Sequence, residues 1–201
     1  MAPITLYFLQ TSRAIRIAWL LEELKLPYNV EAFNREPSGD TPTKFRDQIP
    51  VGRALAIKDG DLTLIESAAI TEYLCEQYDH HNVLLPVDKV ARAYARMWIS
   101  AAEGTFLVHA LAIMYGSGVA PEAAEKLHVG LSTQVHRDFD WLEDELRCGA
   151  SKFLLGDTVT VADTMMGFSV AFIRKMGLRT KQKTWPSINT WLDNIEATPT
   201  Y

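Results

Sequence analysis

PVGRALAIKDGDLTLIESAAITEYL, Pro50 to Leu74, is the stretch on which the reading of the fold turns. Pro50 and Gly52 punctuate a loop. RALAIK and LTLIE flank Asp59-Gly60-Asp61 and read as two strands of a β-hairpin. SAAITEYLCEQY, Ser67 to Tyr78, then reads as a helix. One position is odd. A second proline would suit the tight bend before the first strand, and Leu55 stands there.

Upstream, ITLYFL (Ile4–Leu9) is strand-like, AIRIAWLLEELK (Ala14–Lys25) has helical spacing with an apolar face, and YNVEAF (Tyr28–Phe33) reads as a second strand. A β-α-β unit followed by β-β-α predicts a small mixed sheet covered by helices. Downstream the composition changes near DHHNVLLPVD, and from Lys89 the pattern is helical throughout. Segments are predicted over 89–116, 121–148 (Pro121 being a good first-turn residue) and 162–176, with a last one starting near Trp185-Pro186. Two domains follow: an α/β domain over 1–80, a linker over 81–88, and an all-α domain over 89–201.

Of the 201 residues 48% are apolar and 22% charged, and the formal net charge is −5. That balance argues against a general nucleic-acid or anionic-membrane partner. Two cysteines, Cys75 and Cys148, cannot build a disulfide framework, so a reducing compartment is expected. No basic region precedes the first apolar run, and FLVHALAIMY from Phe106 is too short to span a bilayer. A soluble, cytoplasmic protein is the expectation.

The candidate chemistry starts at LIESAAI. Ser67 is a favoured N-cap, yet position 70 is Ile, so no capping box closes and the helix start keeps donors for an external anion. Glu66 beside it suits an ammonium, and the pair suits the α-amino-acid end of a ligand; plain capping is the rival reading. TVADT behaves differently, since Asp163 three residues after Thr160 closes its own cap, and both read as structural. In LQTSRAIR, Ser12 lies at the positive end of a helix, where a lone serine is more often a cap than a reagent. No G-x-S-x-G elbow or metal motif accompanies it, so neither a serine nucleophile nor a metal is expected. His109, on an apolar helical stretch, reads more readily as a satisfied core histidine than as a catalyst.

Taken together these pieces resemble the cytosolic glutathione transferases of fungal and bacterial type, with a serine-class-like first loop. SRAIRIAWLLEEL resembles the family's first helix, Pro50 to Leu74 its most specific signature, MWISAAEGTFL its fourth helix, and GDTVTVADTMM its capping motif near the sixth. The resemblance implies a thioredoxin-like N-terminal domain plus an all-helical C-terminal one. It implies that Glu66 and Ser67 hold the γ-glutamyl end of glutathione, the Ala54 backbone pairs with the cysteinyl part beside Leu55, and Arg53 reaches the glycine carboxylate. Ser12 aligns with the serine that stabilises the thiolate, Tyr7 being the runner-up. Lowering a thiol pKa from about 8.5 to about 6.5 takes about 2.7 kcal/mol, within reach of one charge-assisted hydrogen bond plus a helix end. Leu55 occupies the family's cis-proline position. Either Ala54–Leu55 is trans and the glutathione-facing backbone rearranges, or the fold holds a cis bond, which the thioredoxin-like turn favours.

The implied electrophile site lies between the domains, lined by the first loop and helix four, with Phe106, His109, Ile113 and Met114 as candidates. A homodimer through helices three and four is implied, with Glu103 near its cleft. The chain ends at ATPTY where relatives often continue, which implies a more open electrophile site or a trimmed chain. The expected function is activation of the glutathione thiol for addition to a hydrophobic electrophile, with fungal secondary metabolism as a candidate setting. Two alternatives stand beside it: glutathione-dependent cis–trans isomerisation of a conjugated double bond, and a non-enzymatic binding or scaffold module.

Overall fold

Residues 3–181 and 183–201 are described by the computed structural model. The chain falls into two compact units, one running to Leu85 and including Thr200, the other from Pro86 to Pro199 with Tyr201.

In the first unit, β1 (Ile4–Leu9), α1 (Ala14–Glu23) and β2 (Tyr28–Phe33) are followed by a short α2 (Thr43–Gln48). The hairpin of β3 (Ala56–Asp59) and β4 (Leu62–Ile65) and then α3 (Ser67–Tyr78) complete it. The sheet order is β2-β1-β3-β4, with β1 parallel to β2 and antiparallel to β3. Alternation along β1 sends successive side chains to opposite faces. One face carries α1 and α3, whose Ile17, Leu20, Ile70 and Leu74 are buried. The other buries Leu9, Phe33, Phe45, Ile49 and Ala56, with Tyr7, Ala54 and Ile65 packed on it. The first strand of the hairpin, expected from Arg53, begins at Ala56 opposite Tyr7, so Arg53 to Leu55 lie outside the ladder. The Ala54–Leu55 peptide is cis.

Helix α2 has no counterpart in the sequence reading. Six residues are too few for a helix to stand on its own propensity. What holds it is Phe45, fully buried and edge-on to Phe33 with ring centroids 5.1 Å apart. Burying such a side chain contributes about 1.5–3 kcal/mol.

The second unit contains α4 (Lys89–Ala101), α5 (Val108–Val119), α6 (Ala124–Gly149), α7 (Val161–Lys175) and α8 (Pro186–Glu196). Asp88 caps α4 by accepting from the Val90 and Ala91 N–H groups. A π-helical turn, Ala102–Leu107, joins α4 to α5 in one helical run, and Ser169 on α7 donates to the Ala102 carbonyl at 2.9 Å. This run, Lys89–Val119, is longer than the apolar stretch read from the sequence, and by length and composition it is able to cross a membrane. Its Ala95, Trp98, Phe106, Ala110 and Ile113 are instead buried among α6 and α7, as in the central helix of a helical domain.

Candidate functional site

Helix α1 follows β1 after a short loop, and α3 follows β4 directly; β1 and β4 run the same way with β3 between them, so both helix N-termini issue from the same end of one sheet. Ser12 sits at the first of them, buried, and its Oγ accepts from the Ala14 N–H at 3.2 Å. That bond uses a lone pair and leaves the hydroxyl proton to donate elsewhere. The capping role and a donor role are therefore compatible in one side chain. Tyr7 is mid-strand, paired with Glu31 and Ala56, and packs against the apolar cluster beneath α2.

At the second N-terminus, Glu66 is exposed and adopts φ 72°, a left-handed conformation that turns the chain from β4 into α3. The Glu66 side chain makes no cap hydrogen bond to α3. The first helical N–H groups, at Ser67, Ala68 and Ala69, precede the first turn's Ile70 N–H to Glu66 carbonyl bond, and such groups suit an anion. Ser67 itself is buried, and its Oγ accepts from Arg16 Nη1 at 3.1 Å.

Arg16 is the residue that sequence reasoning missed. It lies in the first turn of α1, four residues after Ser12, and is only 1% exposed. The signal was present, for an arginine falls in phase with Ile17, Leu20 and Leu21 on an otherwise apolar face. Its guanidinium, always charged, ties the α1 N-terminus to the α3 N-terminus and brings positive charge beside Ser67. The first turn of α1, just after Ser12, is thereby tied to Ser67 through a single side chain.

Arg53 is exposed and Ala54 half-buried, both in the segment that leads into β3, and Leu55 is buried at 3% exposure. In the helical unit the predicted set divides. Phe106 and Ile113 are core residues, Phe106 lying 6.0 Å from Phe139 and 6.1 Å from Trp141 between ring centroids. The helical phase that buries Ala110 buries these two with it, so neither offers a surface to a ligand. His109 and Met114 are partly exposed. His109 Nδ1 lies 3.2 Å from Asp138 Oδ2 on α6. Burial lifts the Asp138 carboxyl above its ordinary value, and the contact with His109 offsets only part of that rise.

Thr160 and Asp163 close a capping box at the start of α7, as expected. The Asp163 carboxylate accepts from the Leu154 and Thr160 N–H groups, from Thr160 Oγ1 and from Trp191 Nε1. Among the described residues no group of three or more His, Cys, Asp or Glu gathers to hold a metal ion.

Residues 2–76 match the glutathione S-transferase N-terminal domain and residues 93–194 its C-terminal domain. Glutathione S-transferase 1 of Saccharomyces cerevisiae is 26% identical, the alignment covering 98% of this chain and 92% of that protein. Glutathione S-transferase 3 of Schizosaccharomyces pombe is also 26% identical, over 98% and 84%. Among solved structures, a glutathione S-transferase of Actinobacillus pleuropneumoniae superposes with a TM-score of 0.85 at 30% identity, over 98% of this chain and 89% of that one. A glutathione transferase homologue of Lodderomyces elongisporus, solved with two glutathione molecules per subunit, superposes at 0.78 and 24% identity, covering 100% and 96%.

Proposed function

The chain belongs to the glutathione S-transferase family, and from that premise we propose that it activates the glutathione thiol for addition to an electrophilic small molecule. The observation that carries the proposal is the buried Arg16–Ser67 hydrogen bond at an α3 start that the Glu66 side chain does not cap, in the unit that also holds the buried Ser12.

In this reading Glu66 takes the γ-glutamyl ammonium, while Ser67 and the α3 N–H groups take its carboxylate. Arg16, which can only donate, fixes Ser67 Oγ as an acceptor and so leaves the Ser67 proton for the ligand. The Ala54 backbone pairs with the cysteinyl residue, and the exposed Arg53 side chain reaches the glycine carboxylate. Ser12 donates its hydroxyl proton to the sulfur at the positive end of α1, favouring thiolate over thiol. Ser12 is preferred to Tyr7 because its proton is available at a helix start, whereas Tyr7 is packed into an apolar cluster. Acceleration then comes from thiol activation and proximity. On the helical unit the proposed electrophile site centres on the partly exposed His109 and Met114.

Calorimetry with glutathione tests the binding half; absence of heat at millimolar glutathione would leave a scaffold module in its place. Ser12→Ala tests the chemical half. Conjugation should fall by about 10–100-fold, about 1.4–2.7 kcal/mol, with glutathione affinity within about threefold of the wild type. An unchanged rate would transfer the role to Tyr7 or to backbone donors. Incubation with epoxides, aryl halides and conjugated polyenes, read by mass spectrometry, separates the two enzymatic outcomes. Conjugation adds the mass of glutathione; isomerisation changes the retention time at constant mass.

A further inference from the structure

The loop that carries Ser12 is fastened by a side chain with no place in the mechanism above. Arg35, just past the end of β2, donates from Nε to the Gln10 carbonyl at 3.0 Å and from Nη2 to the Thr11 carbonyl at 3.5 Å. Its Nη1 donates to the Gly39 carbonyl at 3.0 Å, and its backbone N–H donates to Gln10 Oε1 at 3.3 Å. Gln10 in turn donates its N–H to the Phe33 carbonyl at 2.8 Å. The clamped carbonyls lie on either side of Thr11, whose φ of 50° is left-handed and disfavoured for a residue with a Cβ. Ser12 is the next residue. Where its Oγ points depends on that Thr11 backbone and on the Ala14 N–H.

We propose that Arg35 is a positioning residue for the thiol-activating serine: its guanidinium fork holds the Gln10–Thr11 backbone in the conformation that aims the Ser12 hydroxyl. The inference rests on the reading of Ser12 given above. A fork is suited to the task because each of the three guanidinium nitrogens meets a different carbonyl; a lysine ammonium has the charge without that planar set of separate donors. Arg35 acts on the ligand only through Ser12. Its loss therefore lowers the quality of thiol activation and leaves the γ-glutamyl contacts at α3 in place.

The test is the ultraviolet absorbance of the thiolate of bound glutathione, titrated against pH in Arg35→Ala, Arg35→Lys and Ser12→Ala, beside kcat and the glutathione KM. In Arg35→Ala the thiol should titrate about one pH unit higher than in the wild type, with kcat at neutral pH down about tenfold and KM within threefold. Arg35→Lys should recover less than half of that loss on a logarithmic scale. If Arg35→Ala fails to fold, Arg35→Lys is read by the same criterion: a raised thiol titration supports the inference and a wild-type one overturns it. A KM increase at constant kcat overturns it as well. A shift in Ser12→Ala with none in the Arg35 variants overturns this inference and leaves the Ser12 reading standing. No shift in Ser12→Ala, whatever Arg35 does, overturns both.

Discussion

At the scale of single residues, the proposed γ-glutamyl contacts rest on one buried guanidinium. Arg16 sits at 1% exposure and donates to Ser67 Oγ, and a hydrogen bond to a charged group contributes about 1.5–3 kcal/mol. Arg16→Met keeps most of the volume and removes the donor. It should raise the glutathione Kd about tenfold by calorimetry, because Ser67 is then free to rotate and to lose its proton's aim. Arg16→Lys should rescue only part of this, since the ammonium is shorter in reach and more strongly hydrated. The serines were legible as residues in the sequence. Arg16 was visible only as an exception to the apolar pattern of α1, and its partner lies 51 positions away. Periodicity flags such an exception without saying what it is bonded to.

At the scale of elements, two ties stand out. The tip of the β3–β4 hairpin is joined to the far half of α3 through Asp59, whose Oδ2 accepts from Tyr73 Oη at 2.9 Å and from Tyr78 Oη at 2.5 Å. The Asp59 contact, ahead of burial, pushes the Tyr78 phenol up from 10.0 to about 12. A phenol held protonated by the fold stabilises it fully below pH 10, and the contribution is lost as pH climbs through 12. The wild type should therefore lose urea resistance across that window more steeply than Tyr73→Phe/Tyr78→Phe, with phenolate absorbance rising in step. The second tie is the start of α7. Asp163 is fully buried and accepts four hydrogen bonds, reaching as far as Trp191 on α8. Asp163→Ala leaves those buried donors unmet and should cost about 3–5 kcal/mol in a urea melt. The Thr160–Asp163 box was readable from three-residue spacing. Helix α8 was readable from Trp185-Pro186, but its cap was not: Glu143 on α6 accepts from the Ser187 and Ile188 N–H groups, 2.9 Å each. Helix α2 escaped the sequence reading for the same reason, since the burial of Phe45 by distant residues holds it.

For the whole molecule, the proposed glutathione contacts lie in the first unit and the Asp163 hydrogen bonds in the second. Glutathione at about 100 times its Kd should raise the unfolding free energy by about 2.7 kcal/mol. Asp163→Ala, whose bonds all lie within the helical unit, should lower the melting temperature while leaving glutathione affinity within about twofold. Loss of affinity in step with stability would mean that the units do not carry these roles separately. The sequence alone determined the order of the four strands and of α1 and α3 in the first unit, the capping box and the family resemblance, and it singled out Ser12, Arg53, Glu66 and Ser67 as candidates. Each of these rests on spacing along the chain, because helix, strand and cap geometries relate residues only a few positions apart. The tertiary structure decided the rest. It sent Phe106 and Ile113 into the core, set the Ala54–Leu55 peptide cis, bonded Arg16 to Ser67 and clamped the Ser12 loop with Arg35. Those outcomes depend on which side chains meet after the sheet is assembled and the helices are docked, and separation along the chain carries no record of that meeting.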